Sequence, residues 1–151
     1  MPSNSYEKPD FWSRKAFSEG YPARSVYKLK EIDEKFGMIK KNCNVLDLGA
    51  APGSWTVFLL RNLGAGGKVV SCDLNPLAKS VRDEKLTFLQ GDLNDAVIRS
   101  KIKELGPYDL VVCDAAPLRD VERASCSETT RHTARQFREP YTIRSSLRRR
   151  S

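Results

Sequence analysis

The chain has 151 residues, of which 40% are hydrophobic, so it is long enough to fold as one domain around a single core. The absence of any apolar run of about 20 residues argues against a membrane helix, and the polar N-terminus lacks a secretion signal, so a cytoplasmic protein is expected. The net charge of +7 favours a polyanionic partner such as a nucleic acid.

The first predicted element is a helix over about 10–18, which Gly20 and Pro22 end. Segment 6–24 contains five aromatic and four basic residues. Two interpretations fit this composition: the aromatic side chains pack the helix onto the domain, or the segment presents a basic surface to RNA. We expect the first and keep the second as the alternative.

A second helix is predicted over 25–36, because Val26, Leu29, Ile32 and Phe36 recur at helical spacing and make one apolar stripe. Lys28 borders this stripe. A lysine in such a position is usually a surface residue whose aliphatic stem covers apolar atoms.

From residue 44 onwards, predicted strands and helices alternate. Strands are expected over 44–48, 68–72, 86–90 and 109–113, helices over about 54–63 and 94–105, and a short helical or loop stretch over 76–83. Continuous apolar strands that alternate with helices indicate a parallel sheet covered on both faces. Cys72 and Cys113 fall inside strands and are expected to be reduced core residues. With no Cys-x-x-Cys pair and one histidine, no metal site is expected.

The first strand leads into the turn Gly-Ala-Ala-Pro-Gly at 49–53 and then into a helix, an arrangement that holds nucleotides. Gly49 and Gly53 are four positions apart, which disfavours a dinucleotide turn and therefore a nicotinamide dehydrogenase. A single acid on the strand, Asp47, and the bulky Trp55 suit a ligand without a pyrophosphate, and S-adenosylmethionine fits that description. Trp55 either packs the helix against the sheet or contacts the cofactor through its ring or backbone N–H.

Each predicted strand ends at an acid or a glycine, and ligands of open α/β sheets bind beyond the carboxyl ends of the strands. Asp73 is placed to bond ribose hydroxyls, with a loop cap as the alternative. Asp92 either accepts from an adenine amino group or caps the helix near 94. Asp47 either orients the N–H groups of the turn or attracts a sulfonium. Asp114 is expected to face the transferring group. The alternative is that it only forms the turn before Pro117.

In these stretches the chain resembles the FtsJ-like RNA 2′-O-methyltransferases, in particular the bacterial-type enzymes that methylate a uridine of large-subunit ribosomal RNA. The resemblance covers about residues 10–117, through Tyr-Lys-Leu at 27–29, Asp-Leu-Gly-Ala-Ala-Pro-Gly at 47–53 and Asp-Ala-Ala-Pro at 114–117. It implies an α/β, Rossmann-like methyltransferase fold, S-adenosylmethionine as cofactor and ribosomal RNA or the large ribosomal subunit as partner. It also implies a Lys-Asp-Lys-Glu catalytic set, to which Lys28 and Asp114 belong. The cofactor-binding residues that it implies are Gly53, Trp55, Asp73, Asp92 and Asp114.

After Pro117 the chain departs from this family pattern. Residues 118–151 contain nine Arg, four acidic residues and no Lys. The last lysine, Lys103, precedes the fourth strand, so the second catalytic lysine and the glutamate are absent. We expect an incomplete methyltransferase domain at 1–117, without the C-terminal strands, and a poorly ordered Arg/Ser/Thr-rich tail at 118–151. We interpret the change of composition as a truncation or an altered reading frame.

This departure has two expected consequences. In the strand order 3-2-1-4-5-7-6 of the fold, strand four would become an unpaired apolar edge, and such edges favour self-association. Methyl transfer to rRNA, the expected function in rRNA processing, should be weak or absent. The alternative function is therefore a catalytically inactive fragment that binds S-adenosylmethionine and RNA.

Overall fold

The computed structural model describes residues 9–114 and the backbone of 142–144. Within these residues the helices are α1 (Phe11–Ser18), α2 (Val26–Phe36), α3 (Ser54–Asn62) and α4 (Ala96–Leu105). The strands are β1 (Asn44–Leu48), β2 (Lys68–Asp73), β3 (Leu86–Gln90), β4 (Leu110–Cys113) and β5 (Thr142–Arg144). The predicted elements of 10–113 are therefore confirmed to within two residues at each end, and 76–83 contains turns rather than a helix.

The strands form one parallel sheet in the order β3-β2-β1-β4-β5. β1 lies in the middle of the described sheet, with Leu46 opposite Val70 of β2 on one side and Val111 of β4 on the other. The carboxyl ends of these strands lie at one edge, and the turn after β1 and Asp114 after β4 lie at that same edge. The topology thus brings the predicted site residues to one side of the sheet.

Alternate strand residues face two separate cores, as expected for a parallel sheet covered on both faces. Val45 and Val69 pack with residues of α1, α2 and α3 on one face. Leu46 and Val70 pack with residues of α4 on the other face. Cys72 and Cys113 are buried free cysteines, which confirms the prediction for them.

The apolar stripe predicted on α2 is only partly buried. Val26 and Leu29 are completely buried and Ile32 packs at the edge of the core, whereas the Phe36 side chain is 63% exposed. Phe36 lies outside the core because the helix ends there. Gly37 follows in the left-handed conformation, with a φ of 57°, and the chain turns away from the core.

The aromatic side chains of α1 do not pack this helix onto the domain. Phe11, Trp12 and Phe17 are half exposed or more, and Ala16 is the buried residue of the helix. A small side chain lets the helix backbone approach the core closely. The expectation of an aromatic packing face is therefore wrong for α1, and its rings lie at the surface.

The expected unpaired edge at β4 is also wrong. The backbone of β5 pairs with β4 in parallel, with Val111 opposite Thr142 and Cys113 opposite Arg144. The sequence 142–144 contains a single apolar residue, so no apolar run marked it as a strand. Apart from this strand, the predicted tail at 118–151 lies outside the described residues.

Candidate functional site

The turn at 49–53 is attached to the end of β2 by backbone hydrogen bonds. The N–H groups of Gly49 and Ala50 both donate to the carbonyl of Cys72, at 2.9 and 3.2 Å. Gly49 and Gly53 have φ values of 71° and 115°, in the left-handed region that favours glycine. The two glycines thus allow the chain to leave β1, bend over the sheet edge and start α3.

Asp73 holds this turn in place. One carboxylate oxygen, Oδ2, accepts from the Ala51 N–H at 3.0 Å, and Oδ1 accepts from the Asn75 N–H at 2.8 Å. The carboxylate is therefore fixed at the end of β2, next to the glycine turn. Each oxygen has a further lone pair, so the same carboxylate can still accept from a ligand hydroxyl.

Asp47 lies on β1, directly before the turn, and its side chain is buried at 1% exposure. The Thr56 hydroxyl donates to Asp47 Oδ2 at 2.7 Å and lies 2.8 Å from the Ser71 hydroxyl. The other oxygen, Oδ1, is buried without a hydrogen-bond partner. The sequence analysis missed Thr56 and Ser71, although each is a polar residue inside an otherwise apolar run.

Three carboxylates converge at this edge of the sheet. Burial raises the pKa of Asp47 to about 7; the hydrogen bond from Thr56 opposes this rise, and the nearby carboxylates of Asp114 and Asp73 add to it. Burial, with the charges of Asp73 and Asp92, likewise raises the pKa of the Cys72 thiol to about 11. The convergence predicted from the strand ends is thus present, and it concentrates negative charge.

Lys28 and Asp114 meet across the sheet edge. The Lys28 Nζ lies 3.4 Å from Asp114 Oδ1, and the two side chains are 50% and 19% exposed. The lysine comes from α2 and the aspartate follows β4, 86 positions later. Lys28 is therefore more than a solvated surface lysine, because the fold places its ammonium at the carboxylate cluster.

The loop before α2 is bonded to the start of α3. The Ala23 N–H donates to Ser54 Oγ at 2.7 Å, and the Ser54 hydroxyl donates to the Ala23 carbonyl at 3.0 Å. The indole N–H of the next residue, Trp55, donates at 2.8 Å to the carbonyl of Ser25, which is two residues after Ala23. These bonds attach the helix that carries Lys28 to the glycine turn.

For both Trp55 and Asp92, the structure distinguishes between the two roles considered in the sequence analysis. The Trp55 ring is 2% exposed within the core, so only its backbone N–H, in the first turn of α3, is available to a ligand. Asp92 is exposed, and its Oδ1 accepts from the Asn94 N–H. The helix cap is Asp95, whose side chain accepts from the Val97 N–H, so the capping alternative for Asp92 is wrong.

These groups fit S-adenosylmethionine by their chemistry. Its sulfonium and amino group are cations, and the cluster of Asp47, Asp73 and Asp114 holds excess negative charge, including a buried oxygen without a partner. Its ribose hydroxyls are donors that a fixed carboxylate such as Asp73 can bind. Its carboxylate suits the N–H groups that the first turn of a helix leaves unpaired. No three His, Cys, Asp or Glu side chains in the described ranges are grouped to hold a metal ion.

Comparison with known proteins gives a consistent result. Residues 21–145 match the model of the FtsJ-like methyltransferase family. A ribosomal RNA large subunit methyltransferase E from Treponema denticola is 60% identical over 117 residues, which are 78% of this chain and 59% of that protein. The protein of the same name from Treponema pallidum is 45% identical over 114 residues, 76% of this chain and 57% of the relative. The chain thus spans less than two thirds of these relatives.

Solved structures agree on the fold. The crystal structure of a ribosomal RNA methyltransferase from Plasmodium falciparum superposes with a TM-score of 0.64 and 26% identity, over 78% of this chain and 72% of that one. The methyltransferase MycE, solved with Mg and SAH, shares 19% identity at a TM-score of 0.58, over 86% of this chain and 34% of that one, and supports the fold alone. Among the described helices, none is long and apolar enough to cross a membrane.

Proposed function

The chain belongs to the FtsJ-like methyltransferase family, and from this premise we propose that it binds S-adenosylmethionine for methylation of a ribose 2′-hydroxyl in large-subunit ribosomal RNA. A uridine is the proposed target, and the cytoplasm is the proposed location. The observation that carries the proposal is the contact of Lys28 with Asp114, 3.4 Å apart beside the cluster of Asp47, Asp73 and Asp114.

Each of the proposed cofactor-binding residues has a group that can bind one part of S-adenosylmethionine. Asp73 is proposed to bind ribose hydroxyls through its fixed carboxylate, and Asp92 to accept from the adenine amino group. Gly53 precedes α3 and Trp55 lies in its first turn, and their backbone N–H groups are proposed to bind the amino-acid end of the cofactor. Asp114 attracts the sulfonium. When bound, S-adenosylmethionine supplies a methyl group that is activated by a positively charged sulfur.

Lys28 and Asp114 would position the acceptor. In the transfer, the ribose 2′-oxygen forms a bond to the methyl carbon, the bond from that carbon to sulfur breaks with its electron pair left on sulfur, and the hydroxyl proton passes to solvent water. The Lys28 ammonium can donate to the hydroxyl oxygen and stabilise the negative charge that develops on it. Asp114 holds the ammonium in place. Holding the two reactants in line accounts for much of the catalysis of such a displacement.

A second candidate function is a donor- and RNA-binding protein with little or no turnover. A specific observation favours it: no lysine follows Lys103, so the second lysine that the family resemblance implies after the fourth strand has no counterpart. The cofactor half of the sheet does not depend on that residue. We therefore expect cofactor binding together with weak or absent methyl transfer.

Cofactor binding is tested by calorimetric titration of the full chain with S-adenosylmethionine and, separately, with NAD. We expect a saturable heat with S-adenosylmethionine and none with NAD. The Asp73→Asn variant should bind S-adenosylmethionine about tenfold or more weakly, since a hydrogen bond that involves a charged group contributes roughly 1.5–3 kcal/mol. No binding of S-adenosylmethionine by the native chain would contradict the proposal.

The two candidate functions differ in methyl transfer. Undermethylated large ribosomal subunits are incubated with the chain and with S-adenosylmethionine that carries a tritiated methyl group, and RNA-bound tritium is counted. Incorporation that is slow but abolished by Lys28→Met supports the enzyme, whereas cofactor binding without incorporation supports the binding protein. Turnover as fast as that of a full-length relative would contradict the expected loss of activity.

A further inference from the structure

The surface of α1 and the start of α2 carries an aromatic platform, defined here as Phe11, Trp12, Lys15 and Tyr27. The Phe11 and Trp12 side chains are 62% and 51% exposed. Contiguous exposed apolar side chains mark interaction sites, whereas singly exposed ones are common. The platform takes no part in the cofactor site described above.

The rings of the platform hold one another in position. Phe11 and Trp12 meet edge to face with centroids 5.4 Å apart, and Trp12 meets Tyr27 in the same way at 5.5 Å. The Lys15 Nζ lies 5.5 Å from the Trp12 ring centroid and 5.3 Å from that of Tyr27. These contacts keep the exposed rings ordered and place a positive charge beside their π surfaces.

A hydrogen bond to Glu19 holds the Tyr27 side chain in place. Its hydroxyl donates to Glu19 Oε2 at 3.0 Å. Burial and this hydrogen bond raise its pKa to about 12, so the phenol is uncharged at neutral pH. The ring therefore offers a neutral face to a ligand, while its hydroxyl donates to the Glu19 carboxylate.

The charge around the platform suits a polyanion. Residues 10–30 contain five basic side chains and two acidic ones. Both acids have partners inside the segment, since Asp10 bonds Arg24 and Glu19 accepts from Tyr27. The basic side chains of this segment are Arg14, Lys15, Arg24, Lys28 and Lys30.

The platform adjoins the proposed catalytic pair. Tyr27 is followed by Lys28, whose Nζ reaches Asp114, so the platform and the pair share neighbouring residues of α2. Exposed rings beside basic side chains are how proteins bind single-stranded RNA, because bases stack on the rings while cations contact the phosphates. We propose that the aromatic platform stacks bases of single-stranded RNA next to the nucleotide that is methylated. This inference rests on the proposed function for its choice of RNA.

The chain offers a direct optical probe. It contains two tryptophans: Trp12 is half exposed and Trp55 is 2% exposed. Stacking of a base on Trp12 should quench its fluorescence and leave Trp55 unaffected. In the full-length Trp12→Phe variant, RNA should still bind within about threefold, because a ring remains, but the quenching should be lost.

The affinity test uses Trp12→Ala with Phe36→Ala as its matched control, because Phe36 is also an exposed ring with a lysine over it, 5.4 Å away, but lies at the far end of α2. Binding of a single-stranded oligoribonucleotide is measured by anisotropy. We expect Trp12→Ala to bind about five- to a hundredfold more weakly, the range for one lost stacking contact. Phe36→Ala should bind like the native chain.

A second oligonucleotide separates base stacking from phosphate contacts, including those that the Arg-rich tail can make. An abasic strand keeps its phosphates but has no bases to stack, so the native chain and Trp12→Ala should bind it equally. The slope of log affinity against log salt should be unchanged in Trp12→Ala, whereas Lys15→Gln should reduce it by about 0.7. Circular dichroism checks that each variant is folded.

Several results would overturn the inference. They are native affinity of Trp12→Ala for the base-containing strand, equal weakening by Phe36→Ala, or self-association of the chain that Trp12→Ala abolishes. None of these measurements requires S-adenosylmethionine or methyl transfer. Failure of the platform with intact cofactor binding therefore differs from failure of the proposed function, which would appear as loss of cofactor binding.

Discussion

At the residue scale, Asp47 shows how an acid can be held in the core without an ion pair. Its side chain accepts one hydrogen bond from Thr56, and its other oxygen has no partner. An ionised carboxylate in such a place is costly unless it is compensated. The nearby charges of Asp114 and Asp73 increase this cost, so the proton affinity of Asp47 is coupled to whatever occupies the site.

The pKa of Asp47 predicts how stability depends on pH. Its value is about 7 in the folded chain against 3.8 for the unperturbed group, so the folded state binds more protons than the unfolded state between these values. The contribution of Asp47 to stability is therefore fully present at low pH and is lost as the pH rises from about 4 towards 7. Between pH 5 and pH 8 this single group should remove about 2–3 kcal/mol from the free energy of unfolding.

Urea unfolding of the native chain and of Asp47→Asn, at pH 5 and pH 8, measures this effect. The amide cannot ionise, so the variant should lack the decrease that Asp47 causes. Glu84→Gln removes an exposed acid and should leave the native pH dependence in place. The same decrease in Asp47→Asn as in the native chain would mean that Asp47 does not titrate in this range.

At the element scale, the start of α3 depends on the backbone conformation of Gly53. Its φ is +115°, and a Cβ at this position would lie 3.0 Å from Val81 Cγ2. Gly53→Ala should therefore destabilise the chain by about 1–3 kcal/mol and weaken S-adenosylmethionine binding, because the turn must shift. Chemical unfolding and calorimetric titration measure the two effects.

Gly64 provides the control for this change. It has no left-handed φ, and a Cβ there would make an ordinary contact with Lys41 Cβ, at 3.4 Å. The N–H of Gly64 donates to the Lys41 carbonyl, and alanine keeps that bond. Gly64→Ala should change stability by less than about 0.5 kcal/mol. Equal effects of the two substitutions would show that the Gly53 conformation is not required.

The elements that were predicted from sequence are those whose apolar residues follow the spacing of a strand or a helix. Apolar runs that end at glycine or acid defined β1 and β3 at the bounds observed, and the acids after the strands located the site edge. Properties that arise only from tertiary contacts were not predictable in this way. Thr56 and Ser71 became a buried polar pair, β5 formed by pairing with β4, and Phe36 lies outside the core because α2 ends there.

At the scale of the whole molecule, β5 covers the edge of β4. The four residues of β4 are all buried, and their backbone groups on one side bond β1 while those on the other pair with β5. Removing residues 118–151 would expose this edge. We expect the shortened chain to self-associate, because an open apolar strand edge is a template for pairing with another copy.

Sedimentation velocity at several concentrations tests this expectation. Deletion of 146–151 keeps β5 and is the matched control, which should behave like the native chain. Circular dichroism establishes that both shortened chains retain their helices. A shortened chain that lacks 118–151 but stays monomeric, with native helix content, would show that β5 is not needed to protect β4.

The bonds between the loop before α2 and the start of α3 have a thermodynamic consequence. Ser54 and Trp55 connect the glycine turn to Ala23 and Ser25. A displacement of the turn therefore displaces the loop before α2, and the reverse also holds. If cofactor binding at the turn changes the affinity of the Lys28 surface for RNA by some factor, RNA must change cofactor affinity by that same factor. The two ligands would then act as allosteric effectors of each other through these three hydrogen bonds, in addition to their contact at the transferred methyl group.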